Sequence, residues 1–137
     1  MNANRRPNIF PALRYRDPDA AIAWLKEAFG FEEKAVYRDD DGIVQHAELR
    51  LGAGVVMLGP RREEGFMGGK AADPLASSIS IYIAVDDADS HHERARAAGA
   101  QVVRELANME YGSREYSARD LDGNLWSFGT YDPYATG

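Results

Sequence analysis

The sequence predicts an α+β fold in which two βαβββ modules form a curled, eight-stranded mixed sheet, a half-open cup with one helix on the outer face of each module. An internal repeat supports this prediction. Residues 17–30 and residues 86–99 have the same length, and each segment begins with Asp and ends with Gly. The separation of these two segments along the chain is also the separation of Gly54 and Gly123, and each of these glycines lies between two β-prone runs. Three matches at one spacing indicate duplicated modules.

The first module contains one helical segment among four β-prone runs. Asp17 suits the N-cap of this helix, Pro18 suits its first position, and Gly30 suits its C-terminal cap. The sequence Asp-Asp-Gly at residues 40–42 predicts a hairpin turn between the second and third strands. The predicted strands are residues 9–15, 33–38, 44–51 and 55–58.

The second module repeats this order around the helical segment at residues 86–99, and Asp122-Gly123 marks its last hairpin. Its predicted strands are residues 79–85, 101–105, 113–119 and 125–130. Glycine-rich and charged residues between the modules predict a linker. We therefore expect a single domain over residues 1–137, with modules at about 7–60 and 78–132 and the linker at 61–77.

Composition excludes several classes of protein. The chain has 137 residues, a net charge of −6 and no cysteine. The absence of cysteine excludes disulfide frameworks, thiol nucleophiles, cysteine-based zinc sites and iron–sulfur clusters. The acidic charge disfavours nucleic acid as a partner. Because no apolar stretch is long enough to cross a bilayer and the first ten residues contain no signal-peptide core, we expect a cytoplasmic protein without a membrane partner.

Alternation along the predicted strands separates an apolar face from a polar and aromatic one. The apolar faces must bury against the helices, so the mixed faces line the predicted cup. A sheet face that meets only water can carry the same residues. As candidate ligand-binding or catalytic residues, the mixed faces present Phe10, Arg14, His46, Glu48, Arg50, Ser80, Tyr82, Glu115, Arg119 and Ser127.

Residues 111–128, with the turn Asp-Leu-Asp-Gly-Asn at 120–124, resemble the glyoxalase/bleomycin-resistance/extradiol-dioxygenase superfamily, which has the vicinal oxygen chelate fold. The usual turn of that superfamily is Asp-Pro-Asp-Gly-Asn, and Leu121 stands here in place of the proline. The helix openings at residues 16–18 and 85–87 match as well. The resemblance covers residues 8–132.

The resemblance implies four metal-ligand positions, on the first and last strands of each module. They fall at Phe10, Ser80, Ser127 and either Val56 or Met57. Hard and borderline metals prefer imidazole and carboxylate ligands, which none of these residues supplies. We therefore expect no metal at these positions and no other cofactor.

A displaced site remains an alternative. His46 and Glu48 share one strand face, and Glu115 occupies the position related to His46 by the repeat. These three side chains could hold a metal, or His46 could act as a general base with Glu48 or Glu115 orienting it. The favoured interpretation is that they form salt bridges with nearby arginines, which would also hold substrate: Arg14, Arg50 and Arg119.

The leading functional hypothesis is a metal-free protein that binds a small organic molecule in the cup. The resemblance implies a homodimer, because such cups are completed by a second subunit. The alternative is a lyase, isomerase or dioxygenase-like enzyme that uses His46 or a displaced metal site. A scaffold without a small ligand is the least favoured hypothesis, because a cup lined by so many polar groups is unusual for a scaffold.

Overall fold

The computed structural model describes Pro7, residues 9–61 and residues 80–134. The chain divides into two compact units, residues 1–72 and 73–137. The first contains β1 (Ala12–Tyr15), α1 (Pro18–Phe29), β2 (Glu32–Arg38), β3 (Val44–Leu51) and β4 (Gly54–Pro60). The second contains β5 (Ser80–Ala84), α2 (Ala88–Ala97), β6 (Gln101–Asn108), β7 (Arg114–Arg119) and β8 (Leu125–Gly129).

This order confirms the predicted α+β fold of two βαβββ modules. The eight strands form two four-stranded mixed sheets, ordered β1-β4-β3-β2 and β5-β8-β7-β6. In each sheet the first strand runs parallel to the last strand of its module, and the other pairs are antiparallel. Apart from Arg61, the predicted linker at 61–77 lies outside the described residues, as does Ile79 of the predicted fifth strand.

An aspartate caps the N-terminus of each helix. Asp17 caps α1, and Gly30 ends it in the left-handed region at φ 87°. In α2 the N-cap is Asp87, whose Oδ1 accepts a hydrogen bond from the Ser90 N–H at 3.0 Å. The predicted opening at Asp86-Asp87 therefore begins this helix, with the second aspartate as the N-cap. Two adjacent aspartates suit the N-cap equally well, and only the backbone decides which of them reaches the first turn.

Each helix packs on one face of its own sheet. In the first unit the core holds Leu25 and Phe29 of α1 with Leu49 and Leu58 of the sheet, all buried. Because side chains alternate along a strand, the neighbouring residues point to the other side of the sheet. We call this side, opposite the helix, the open face of each sheet. Within the described ranges, neither helix has the length and apolar character needed to span a bilayer.

In the second unit, a histidine joins α2 to its sheet. The ring of His91 lies 4.2 Å from that of Phe128, measured between centroids, and His91 Nδ1 is 2.6 Å from the Tyr116 hydroxyl oxygen. Burial raises the pKa of the Tyr116 hydroxyl far above its ordinary value. His91 therefore helps to hold the helix on the sheet, on the side away from the open face.

Candidate functional site

The open face of the second unit carries a groove with a volume of about 570 Å³. Strands β5, β6, β7 and β8 contribute its polar side chains, and the β6–β7 turn and the segment after β8 contribute further walls. The lining residues are Ser80, Tyr82, Arg104, Tyr111, Glu115, Ser127, Tyr131 and Pro133. Four of the predicted site residues meet here: Ser80, Tyr82, Glu115 and Ser127.

Glu115 lies at the base of this groove, with only 6% of its side chain exposed. Its Oε1 accepts a hydrogen bond from Arg104 Nη2 at 3.2 Å. Burial opposes ionisation of Glu115, yet hydrogen bonds from Ser113, Tyr111 and Arg104 outweigh burial and hold the pKa of the carboxyl below its usual range. Glu115 is therefore a carboxylate at neutral pH, paired with a guanidinium.

Arg104 reaches the groove because β6 contains a bulge. Val102 lies opposite Ala118, but after a register shift Arg104 lies opposite Ser117. The extra residue changes the alternation, so Arg104 is on the open face although simple period two would place it with Val102. Arg104 Nε donates to Ser117 Oγ at 3.1 Å, and Nη1 lies 3.5 Å from Met109 Sδ.

Gly129 on β8 makes room for the groove's polar side chains. A Cβ atom on Gly129 would lie 2.5 Å from Glu115 Cγ and 2.8 Å from the Tyr82 hydroxyl oxygen. Real Cβ contacts are longer than these distances, so a larger residue here would require Glu115 or Tyr82 to move. The Tyr82 hydroxyl donates to the backbone carbonyl of Tyr131 at 2.7 Å, and burial raises the pKa of Tyr82.

The open face of the first unit carries a more exposed cluster. His46 Nε2 lies 3.0 Å from Glu48 Oε2, and Lys34 Nζ lies 3.2 Å from Glu48 Oε1. The ring of Tyr37 stacks on His46 at a centroid distance of 5.9 Å. Hydrogen bonds from His46 and then Lys34 hold the pKa of Glu48 below its usual value. The predicted pair of His46 and Glu48 is therefore in contact.

These carboxylates form salt bridges, but not with the predicted Arg50 or Arg119. Glu48 pairs with Lys34, and Glu115 pairs with Arg104. Arg50 turns toward the sheet edge, where its Nε lies 3.1 Å from Glu32 Oε1. The partners actually used lie on β2 and β6, the strands from which no site residue was predicted.

Arg14 and Phe10 belong to the first unit. Arg14 lies over Gly59, since a Cβ atom there would be 2.5 Å from Arg14 Nη1. Phe10 precedes β1 and is exposed.

The turn at residues 120–124 has a structural role. The buried carboxylate of Asp120 accepts hydrogen bonds from the backbone N–H groups of Asp122 and Asn124 and from the Asn124 side chain. It also accepts one from Trp126 Nε1 at 3.0 Å. Arg119 Nη1 donates to a carbonyl of the same turn at 2.9 Å, so this predicted ligand-binding residue supports the hairpin.

The residues at the four expected metal positions do not fit a divalent cation. Met57 lies opposite Glu48 and so shares the open face, whereas Val56 is buried; the third position is therefore Met57. A thioether, a phenyl ring and two serine hydroxyls form a poor donor set for such an ion. The Ser127 hydroxyl is moreover 2.7 Å from that of Ser117.

The displaced metal site gains no support. In the described parts of the chain, no three or more His, Asp or Glu side chains are grouped so that they could hold a metal ion. His46 and Glu48 belong to the first unit, and Glu115 belongs to the second.

The chain is similar to known proteins over most of its length. The family model described as the Glyoxalase/Bleomycin resistance protein/Dioxygenase superfamily matches residues 10–128. The chain belongs to this superfamily. An uncharacterized protein of Mycobacterium tuberculosis (strain H37Rv) is 33% identical over 132 residues, which cover 94% of this chain and 77% of that protein.

Solved structures with a similar fold agree with this assignment. The crystal structure of TioX from Micromonospora sp. ML1 is 33% identical, with a TM-score of 0.77, and the match covers 90% of this chain and 97% of that one. A bleomycin resistance determinant encoded on the transposon Tn5 is 22% identical, with a TM-score of 0.67, covering 92% and 98%. The second likeness concerns the fold alone.

Local sequence patterns do not reveal several residues of the groove or the lysine on the open face of the first unit. Arg104 was hidden by the bulge, and Lys34 on β2 lies at a similar register shift between Glu33 and Ala35. Tyr111 and Tyr131 belong to a visible group of tyrosines near the C-terminus, but composition does not separate binding from packing.

Proposed function

We propose that this protein binds a small organic molecule in the groove of its second unit and does so without a catalytic metal. The groove itself is the observation that carries this proposal. Its volume of about 570 Å³ is within the range of small-molecule pockets. The superfamily to which the chain belongs is described as including bleomycin resistance proteins, which supports an organic compound as the ligand.

The chemistry of the groove favours binding over proton transfer. Glu115 is the acidic group at its base, and its pKa is held low by Ser113, Tyr111 and Arg104 against the effect of burial. A general base works best when its pKa lies near the working pH. A carboxylate held in this way is a poor base, but it fixes the position of the guanidinium beside it.

A groove-blocking variant tests the proposal. Ser80 lines the groove and is exposed, so Ser80→Trp should fill the groove while leaving the sheet intact. Aromatic fragments would be screened by saturation-transfer NMR against the wild type, this variant and Ser90→Trp, which changes an exposed residue of α2. We expect fragments that bind the wild type and Ser90→Trp but not Ser80→Trp. Binding that is insensitive to Ser80→Trp would contradict the proposal.

The contact between His46 and Glu48 favours a second candidate, an enzyme of the lyase, isomerase or dioxygenase-like type. In this candidate His46 takes a proton from substrate while Glu48 orients the ring. The probe is phenylacetone in D₂O, which incorporates deuterium beside its carbonyl when a base removes a proton. Incorporation above the buffer rate that is lost in His46→Ala and kept in His92→Ala would favour the enzyme; a rate equal to buffer would exclude this reaction.

A further inference from the structure

Arg104 is the cationic side chain among the residues that line the groove, and its neighbours accept hydrogen bonds from only some of its N–H groups. We propose that Arg104 determines ligand class, and that the groove takes uncharged ring compounds bearing a carbonyl group. This inference rests on the proposed binding function of the same groove.

The hydrogen bonds of Arg104 leave donors for a ligand. A guanidinium has five N–H groups. Nε donates to Ser117, one Nη1 hydrogen points to Met109 sulfur, and one Nη2 hydrogen serves Glu115. Two N–H groups are left, on a side chain that lines the groove and is 40% exposed. Because arginine has no acceptor, a ligand must bring an acceptor atom to meet them.

The charge of the groove favours an uncharged acceptor. Arg104 and Glu115 form a close pair whose charges cancel, with 3.2 Å between Nη2 and Oε1. A ligand carboxylate that approached Arg104 would also approach Glu115, and the repulsion would offset part of its attraction. A ligand cation would find the Glu115 carboxylate already held by Arg104, Ser113 and Tyr111. A neutral carbonyl meets neither difficulty.

The remaining walls favour a ring. Tyr82, Tyr111, Tyr131 and Pro133 line the groove beside the ion pair. The rings of Tyr111 and Tyr131 meet edge to face, with centroids 6.2 Å apart. Such side chains offer large apolar surfaces that pack well against a flat ring. A ring with an attached carbonyl can therefore contact both parts of the groove together.

Three probes that share a naphthalene ring test this inference: 2-naphthamide, 2-naphthoate and 2-naphthylmethylammonium, whose head groups are a neutral carbonyl group, an anion and a cation without an acceptor. Dissociation constants would be measured for the wild type, Arg104→Met and Arg96→Met. Arg96 lies on α2 and pairs with Glu105, away from the groove, so it is the matched control. We expect the wild type to bind the amide about tenfold more tightly than the other two probes, and Arg104→Met to lose this preference while Arg96→Met keeps it.

Other outcomes are equally informative. Equal affinity for the three probes, or an amide preference that survives Arg104→Met, would overturn the inference. A preference for naphthoate that depends on Arg104 would overturn the uncharged class. If Arg104→Met does not fold, Arg104→Lys carries the test, since it keeps the charge beside Glu115 but loses the planar fork, and the preference should again be lost. If none of the three binds in a manner blocked by Ser80→Trp, the binding function itself fails.

Discussion

The β2–β3 and β6–β7 hairpins share one backbone design and differ in what their side chains do. In the first, the Asp39 N–H donates to the Ile43 carbonyl at 2.9 Å; in the second, the Met109 N–H donates to the Ser113 carbonyl at 2.7 Å. A glycine with positive φ lies in each turn. The Asp39 carboxylate binds N–H groups of its own turn. Met109 instead contacts Arg104 of the groove.

The open faces of the two units differ in how far their charged side chains are exposed. On the first, the side chains of Glu48 and Lys34 are 25% and 51% exposed, and such a pair contributes little net stability. On the second, Glu115 is almost fully buried and needs its donors to remain charged. Equal topology therefore places an exposed carboxylate on one open face and a buried carboxylate on the other.

The largest expected effect separates two aspartates that organise turns. Asp120→Ala removes a buried acceptor and leaves the Trp126 N–H without its partner, so we expect a loss of about 3 kcal/mol or more in the free energy of unfolding. Asp39→Ala, at an exposed turn, should cost about 1 kcal/mol. Urea unfolding of both variants measures the difference. Equal losses would show that the second unit does not depend on its buried turn.

A smaller effect is expected for the two open-face carboxylates. Glu115→Gln should cost about 2 kcal/mol at neutral pH, because it removes the charge beside Arg104 at a buried position. Glu48→Gln should cost less than about 1 kcal/mol, because its ion pair is exposed. Urea titrations of both variants and the wild type would give these values, and a cost for Glu48→Gln as large as that for Glu115→Gln would remove the distinction between the faces.

The same comparison has a defined pH dependence. The folded-state pKa values of Glu115 and Glu48 both lie below the ordinary value, so each carboxylate contributes stability above the unfolded pKa of about 4.3. That contribution is lost as pH falls through the folded pKa. The stability gap between the wild type and Glu115→Gln should therefore shrink as pH is lowered from about 6 into this range. A gap that does not change with pH would show that Glu115 does not act through its charge.

Small effects on stability are expected at the hairpin tips, where Tyr111 and Asp41 are both exposed. Asp41→Ser should change the free energy of unfolding by less than about 0.5 kcal/mol. Tyr111→Ser removes a hydrogen bond to Glu115 and should cost about 1 kcal/mol. Tyr111→Ser should also weaken binding of 2-naphthamide about fivefold, because it removes an aromatic wall of the groove. Calorimetric titration of both variants checks this, and unchanged affinity in Tyr111→Ser would place the ligand away from the hairpin.

The sequence predicted much of the fold and part of the site. Helix caps and period-two strands are local signals, so the β3 strand was predicted with its observed bounds. Alternation also placed Tyr82, Glu115 and Ser127 on the open face. It failed for Arg104, because a bulge changes which side of the strand a residue occupies and depends on pairing with a distant strand.

The sequence by itself determined the duplicated βαβββ order, the superfamily and the lack of good metal ligands at its usual positions, because these depend on residue type and short-range pattern. Only the tertiary structure decided which carboxylate is buried, which cation it meets, and that Gly129 leaves room for both Glu115 and Tyr82. Burial and ion pairing arise from contacts between strands that are far apart along the chain, and no local pattern records them.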